Sequence, residues 1–183
     1  MFNVVLKWFF LSILDRLFFL ICLVSNPFVC LTVDKNGNLP KLFEWWQTPD
    51  SDMFGRYGDH GFAEENKDKL STFWGRWFVA TKWSYRNTGQ GFSTFVCGIE
   101  CEEKDAITLS SKETDSFTNV VKACYRSNQK PFVFDCKGNV KWFFNKNYCF
   151  RWRLGWKIGF GESRGFDLPA QIVQSITPFK KVD

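Results

Sequence analysis

Large apolar side chains occupy every second position from residue 148 to 160: Tyr148, Phe150, Trp152, Leu154, Trp156, Ile158 and Phe160, with Cys149, Arg151, Arg153, Gly155, Lys157 and Gly159 between them. Successive side chains of an extended chain point to opposite faces, so this spacing predicts a strand with one apolar face and one face of cations, glycines and a thiol. At about 3.3 Å per residue the run spans roughly 43 Å, longer than strands in globular domains, which places a bend at Gly155 or Gly159. Upstream, Trp77, Val79, Thr81, Trp83 and Tyr85 alternate with Phe78, Ala80, Lys82, Ser84 and Arg86 and predict another half-buried strand, in a β region that starts at Trp74. Asn87-Thr-Gly-Gln-Gly91 has hairpin chemistry and leads to a third strand over residues 92–101. Residues 106–110 make a fourth. Residues 117–125 have helical spacing at Phe117, Val120, Val121 and Cys124, but their β-branched content favours a strand. Residues 131–136 and 140–144 flank Lys137-Gly138-Asn139, a compact hairpin.

Ahead of this region, residues 31–70 are irregular. Asp34-Lys-Asn-Gly-Asn38 and Pro49-Asp-Ser-Asp52 are turns, Gly55, Gly58 and Gly61 punctuate a loop, and residues 39–46 suit a short helix or lid. At the other end, Asp167 as cap and Pro169 in the first turn predict a helix to Ile176 that buries Leu168, Ile172, Val173 and Ile176 before Pro178 stops it.

The chain opens with an apolar segment interrupted by Asp15 and Arg16. In a spanning helix that pair would sit near the bilayer centre, at about 2.5–3.5 kcal/mol for each charge. The uninterrupted run from Leu17 to Ser25 is too short to span and matches the apolar region of a signal peptide, cleaved after Ser25 or, a few residues later, after Cys30 or Thr32. An uncleaved anchor is the alternative. Cleavage after Ser25 removes Cys22 and leaves six cysteines, Cys30, Cys97, Cys101, Cys124, Cys136 and Cys149, an even number that an exported chain uses for three disulfides. Cys97 and Cys101, four residues apart on one strand, lie about 13 Å from each other and belong to different bridges. The cysteines contain no Cys-x-x-Cys pair and the one histidine, His60, is remote from them, so zinc and other metals are not expected.

The net charge of +5 lacks the lysine and arginine density of a nucleic-acid binder. No cofactor motif is present, since Gly159-Phe-Gly161 is too short for a phosphate loop. Asp59 stands next to His60, yet no nucleophile is near in sequence, and the acids Glu100, Glu102, Glu103 and Asp105 lack calcium-loop spacing. The pattern points to binding rather than catalysis. Arg151, Arg153 and Lys157 are the candidate anion-binding set, and Trp77, Trp83, Trp142, Trp152 and Trp156 the candidate lining of an aromatic interior.

The stretch Phe73-Trp74-Gly75-Arg76-Trp77-Phe78-Val79 resembles the Gly-x-Trp entry to the first strand of lipocalins, secreted antiparallel barrels that hold small hydrophobic ligands. The resemblance implies that Trp77 plugs the closed end of a barrel and that Gly75 permits its tight entry. The expected architecture is a mainly β fold, an antiparallel meander closing into a small barrel or sandwich, disulfide-linked, with a short C-terminal helix. Its expected organisation is a signal peptide at 1–25, an irregular N-terminal arm at 26–73 and the β domain at 74–183. The expected function is a secreted, extracellular protein that binds a small hydrophobic ligand. The alternative is an effector, toxin or inhibitor that engages an extracellular macromolecule or a membrane through a cationic and aromatic surface.

Overall fold

The computed structural model describes residues 2–100, 106–114, 117–124, 132–138, 148–157 and 168–181. The chain divides into a helical unit, Ile13–Cys97, and a second unit made of Met1–Ser12 with Gly98–Asp183.

Helix α1 runs from Phe2–Val29. Its buried and half-buried positions include Val4, Trp8, Leu11, Asp15, Phe18, Cys22, Ser25 and Val29, which recur every three or four residues along one side. The helical unit continues with α2 (His60–Asn66), α3 (Phe73–Arg86) and the short α4 (Gln90–Phe95). Its core joins Val29, Cys30, Val33, Leu39, Met53, Phe54, Phe62, Val79, Ala80 and Trp83. Two caps set the helix starts. The Asp59 carboxylate accepts from the Phe62 amide at 3.0 Å, and the Thr72 hydroxyl accepts from the Gly75 amide at 3.0 Å.

In the second unit, β1 (Ala106–Thr114), β2 (Phe117–Cys124), β3 (Phe132–Gly138), β4 (Tyr148–Trp156) and β5 (Ile172–Lys181) pair in sequential antiparallel order. One row of the register runs Asn119, Cys136, Trp152, Ile176. Val133, Trp156 and Ile172 are buried, and the Trp156 ring meets Phe132 edge-on at 5.6 Å. The first turns of α1 belong to this unit: the Trp8 indole donates to the Val173 carbonyl at 3.4 Å, and the Gln174 amide donates to the Ser12 carbonyl at 2.8 Å. Gly155 sits at φ 110, and a Cβ there would come within 2.1 Å of the Phe132 carbonyl oxygen, so β4 can lie this close to β3 only through a glycine.

The expected fold is corrected in four respects. The chain is not mainly β, because residues 74–97 form α3 and α4 instead of two strands; the Thr72 cap and the inward stripe Val79, Ala80, Trp83 and Ser84 follow helical spacing that coexists with the apparent alternation. The sheet neither closes into a barrel nor stacks into a sandwich, since β1 and β5 are its two edges and do not pair with each other. No disulfide forms among the described residues: Cys22, Cys30 and Cys97 are buried thiols outside any disulfide. The register opposes Cys124 to Ala106, Cys136 to Asn119 and Trp152, and Cys149 to Lys180, so none of these three faces another cysteine across a ladder; Cys101 lies outside the described residues. The expected C-terminal helix is β5 from Ile172 onward. Pro178 fits there because β5 is an edge strand, where a missing N–H need break no ladder bond.

Candidate membrane-facing site

The side of α1 opposite its packed seam is apolar for nearly its whole length. Thirteen large apolar side chains stand exposed on it, Phe2, Val5, Leu6, Phe9, Phe10, Ile13, Leu14, Leu17, Leu20, Ile21, Leu23, Val24 and Phe28. The polar residues Ser12, Asp15, Cys22 and Asn26 are instead buried. A helix of a water-soluble domain has the reverse arrangement, with its apolar stripe inward. Within the helical unit Asp15 accepts a hydrogen bond from the Ser93 hydroxyl. The Phe18 ring stacks on Phe92 at 4.3 Å and 15° and meets Trp46 edge-on at 4.8 Å, and the Trp46 indole donates to the Ser25 hydroxyl at 2.8 Å. Of the interrupting charge pair, Asp15 thus faces the protein, while Arg16 is exposed and places its guanidinium over the Phe19 ring at 5.7 Å.

Helix α3 is anchored to α1 by two polar bonds. The Trp77 indole donates to the Pro27 carbonyl at 2.8 Å, and the Tyr85 hydroxyl donates to the Leu23 carbonyl at 3.0 Å. On its outer side Phe73, Trp74, Phe78 and Tyr85 are exposed. The cap residue and one acid of α2 neutralise the other side: Arg86 pairs with Asp59 at 2.6 Å, and Lys82 approaches Glu65 at 3.9 Å. The Phe62 amide bond and then Arg86 hold the Asp59 carboxyl below its usual range. Asp59 is therefore committed to a cap and an ion pair, and His60 stands exposed at the start of α2.

The predicted lining residues are divided between the two units. Trp77 and Trp83 belong to the helical unit, where Trp77 is half-buried on α1 and Trp83 is a core residue bonded to the Thr48 hydroxyl at 3.0 Å. Trp152 and Trp156 belong to the other unit. Trp156 is fully buried, whereas Trp152 is 47% exposed beside Ile176, so the apolar row of β4 does not share one environment. Trp142 lies outside the described residues. Gly75 and Trp77, read as a barrel entry, occupy the first turns of α3. The predicted anion set is half-buried, and the Lys157 ammonium donates to the Gln171 side chain at 2.7 Å. No group of three metal-ligating side chains occurs among the described residues.

The outward apolar face of α1 and the exposed aromatics of α3 were missed as a functional surface. The available signal was the stretch itself: the helix is long and apolar enough to cross a membrane, and an N-terminal export signal has the same length and composition. The fold thus defines a protein with an apolar N-terminal helix packed on a helical unit and joined to an open antiparallel sheet. It belongs to the family described as Family of unknown function (DUF7338), which it matches over residues 1–183. No curated protein and no solved structure matches the chain.

Proposed function

We propose that this protein is a membrane-anchored binding protein whose N-terminal helix is retained and seated in lipid. The observation that carries the reading is the inverted polarity of α1, with Ser12, Asp15, Cys22 and Asn26 inward and thirteen large apolar side chains outward. Polar groups on a lipid-embedded helix turn to the protein interior because hydrocarbon offers them no partner. The energies agree in sign. The thirteen outward side chains favour insertion by about 4–8 kcal/mol, against about 3 kcal/mol for Arg16 at mid-helix and less for the exposed Lys7, which lies in the second turn and reaches towards the headgroup layer. Asp15 drops out of that comparison because Ser93 satisfies it inside the protein. Arginine also extends its head towards the interface along its own apolar stem.

Retention is supported by what cleavage after Ser25 would remove. Phe92 and Trp46 would lose the Phe18 ring, Ser93 its Asp15 carboxylate, and the Trp46 indole its Ser25 acceptor. A secreted product, the expectation from sequence, needs that removal. This reading favours binding over catalysis because the single imidazole, at His60, stands exposed while its neighbouring carboxylate is engaged by Arg86.

The test is expression of the full chain, separation of membranes, and washing with alkaline carbonate and with high salt, followed by intact mass. The expected result is the uncleaved chain in the washed pellet. A product that begins near Asn26, or release into the wash, sinks the proposal.

A further inference from the structure

We infer that the first half of α3 is a second lipid contact, seated in the headgroup layer of an anionic bilayer beside the C-terminal end of α1. The inference rests on the membrane reading of α1 and adds a surface and a lipid class to it. Phe73, Trp74 and Trp77 form one aromatic cluster, with the Phe73 and Trp74 rings at 5.1 Å and the Trp74 and Trp77 rings at 5.9 Å. The cluster is fixed to α1 through the Trp77 indole on the Pro27 carbonyl, in the last turn of the helix. Trp74 is 67% exposed, with Phe73 and Phe78 about half exposed, and on α1 Val24 and Phe28 stand exposed around the same junction. Single exposed apolar residues need no explanation, but a contiguous aromatic patch that continues the apolar face of a membrane helix does. Tryptophan at the end of a span is at home in the headgroup layer, where the ring is apolar and its N–H is wet.

Charge selects the lipid. The cations of α3 that face α2 are matched, Arg86 by Asp59 and Lys82 by Glu65. The cation beside the aromatic cluster is not: the Lys69 ammonium, on the 3₁₀ turn Lys67–Ser71 that leads into α3, lies 5.3 Å from the Phe78 ring centre and bonds only the neutral Asn66 side chain. Among the described residues no carboxylate forms an ion pair with Lys69. An uncompensated cation set against exposed aromatics fits an anionic surface and is wasted on a neutral one.

The experiment is hydroxyl-radical footprinting of the full chain, read residue by residue by mass spectrometry. The protein is placed in nanodiscs of phosphatidylcholine alone and of an equimolar mixture with phosphatidylglycerol. Tyr57, exposed and remote from the cluster in sequence, is the internal reference, and Phe9 and Phe10 report on α1. In mixed discs oxidation of Trp74 and Phe78 is expected to fall severalfold relative to Tyr57, with much weaker protection in phosphatidylcholine alone and a reduced effect on Lys69→Glu. Trp74 and Phe78 as reactive as Tyr57, with Phe9 and Phe10 protected, would overturn the second contact and leave the anchor standing. Equal protection in both discs, or no response to Lys69→Glu, overturns the anionic preference. Full reactivity of Phe9 and Phe10 would instead remove the anchor reading on which this one rests.

Discussion

The Tyr85 hydroxyl donates to the Leu23 carbonyl at 3.0 Å, and Leu23 is four residues before Pro27. In an uninterrupted helix that carbonyl would accept from the amide of residue 27, which proline does not have. A side chain of α3 thus supplies the donor that the sequence of α1 removed. Tyr85→Phe should therefore destabilise the protein by about 0.5–1.5 kcal/mol, the net worth of one hydrogen bond at an exposed site. The same change made on Pro27→Ala, where the amide is restored, should cost much less. A double-mutant cycle by chemical denaturation in detergent and in lipid measures the coupling; equal losses in both backgrounds would show that the hydroxyl bond does nothing for the helix.

The Cys97 thiol is buried and forms no disulfide. Burial pushes its pKa up to about 12, and the nearby Asp15 carboxylate acts in the same direction by repelling a thiolate. In the unfolded chain the thiol ionises near its ordinary value of about 8.5. The folded pKa is the higher one, so this group's contribution to stability is complete below about 8.5 and is lost as pH climbs towards 12. Maleimide should label Cys97 slowly in the native protein at neutral pH and rapidly once denaturant is added. Cys97→Ala should flatten part of the alkaline loss of stability. Rapid native labelling at this position, mapped by peptide mass spectrometry, contradicts the buried thiol.

Asp59 carries the opposite sign. The Phe62 amide, followed by Arg86, lowers its pKa, so the carboxylate stabilises the start of α2 above its unfolded pKa. That contribution disappears as pH falls below about 4 through the lower folded value. Asp59→Asn keeps a capping oxygen but gives up the ion pair, whereas Asp59→Ala gives up both. Acid unfolding followed by circular dichroism should rank the wild type, Asn and Ala in decreasing stability near neutral pH. The wild-type advantage over Asn should shrink in acid. An advantage over Asn that is undiminished at low pH would mean that the carboxylate charge is irrelevant.

What could be read from the sequence depended on whether the two sides of an element differ. Residues 148–156 are extended, and their strict alternation left no competing helical reading. Residues 74–86 satisfied two periods at once. Trp77, Val79, Thr81, Trp83 and Tyr85 alternate, but Val79, Ala80, Trp83 and Ser84 form the packed stripe of a helix whose outer side is also aromatic, at Trp74, Phe78 and Tyr85. Apolar residues on both sides erase the contrast on which periodicity depends. The Thr72 cap was the deciding signal, and it lay just before the stretch. The seam of α1 was likewise hidden, since its polar members are inward, and the cysteine count was tied to a cleavage that would remove the packed Phe18 and Ser25. At the C-terminus, Leu168, Ile172, Val173 and Ile176 have helical spacing, yet β4 offers Ile172 and Val173 a ladder, in register with Trp156 and Gly155, and that long-range pairing prevailed.

Gly75 supplies the last prediction, and it separates the helical reading of its surroundings from a strand entry. It lies in the first turn of α3, where a Cβ would stand 1.8 Å from the Lys69 carbonyl oxygen and 2.7 Å from its carbon. Those are backbone atoms of the short 3₁₀ turn Lys67–Ser71, and they cannot swing aside as a side chain can. The added methyl must therefore push the turn away from α3, which strains the Thr72 hydroxyl bond to the residue-75 amide. Gly75→Ala is expected to cost about 1–3 kcal/mol, as overpacking does, even though alanine is the better helix former by about 1 kcal/mol. Gly61→Ala, in α2, is the control: its nearest neighbour would be the Asp59 carboxylate oxygen at 3.4 Å, an ordinary contact. Thermal denaturation of the two variants side by side decides the matter. If Gly75→Ala is as stable as the wild type, the close approach of the Lys69 carbonyl is not a constraint on this helix, and the residue has some other reason to be glycine.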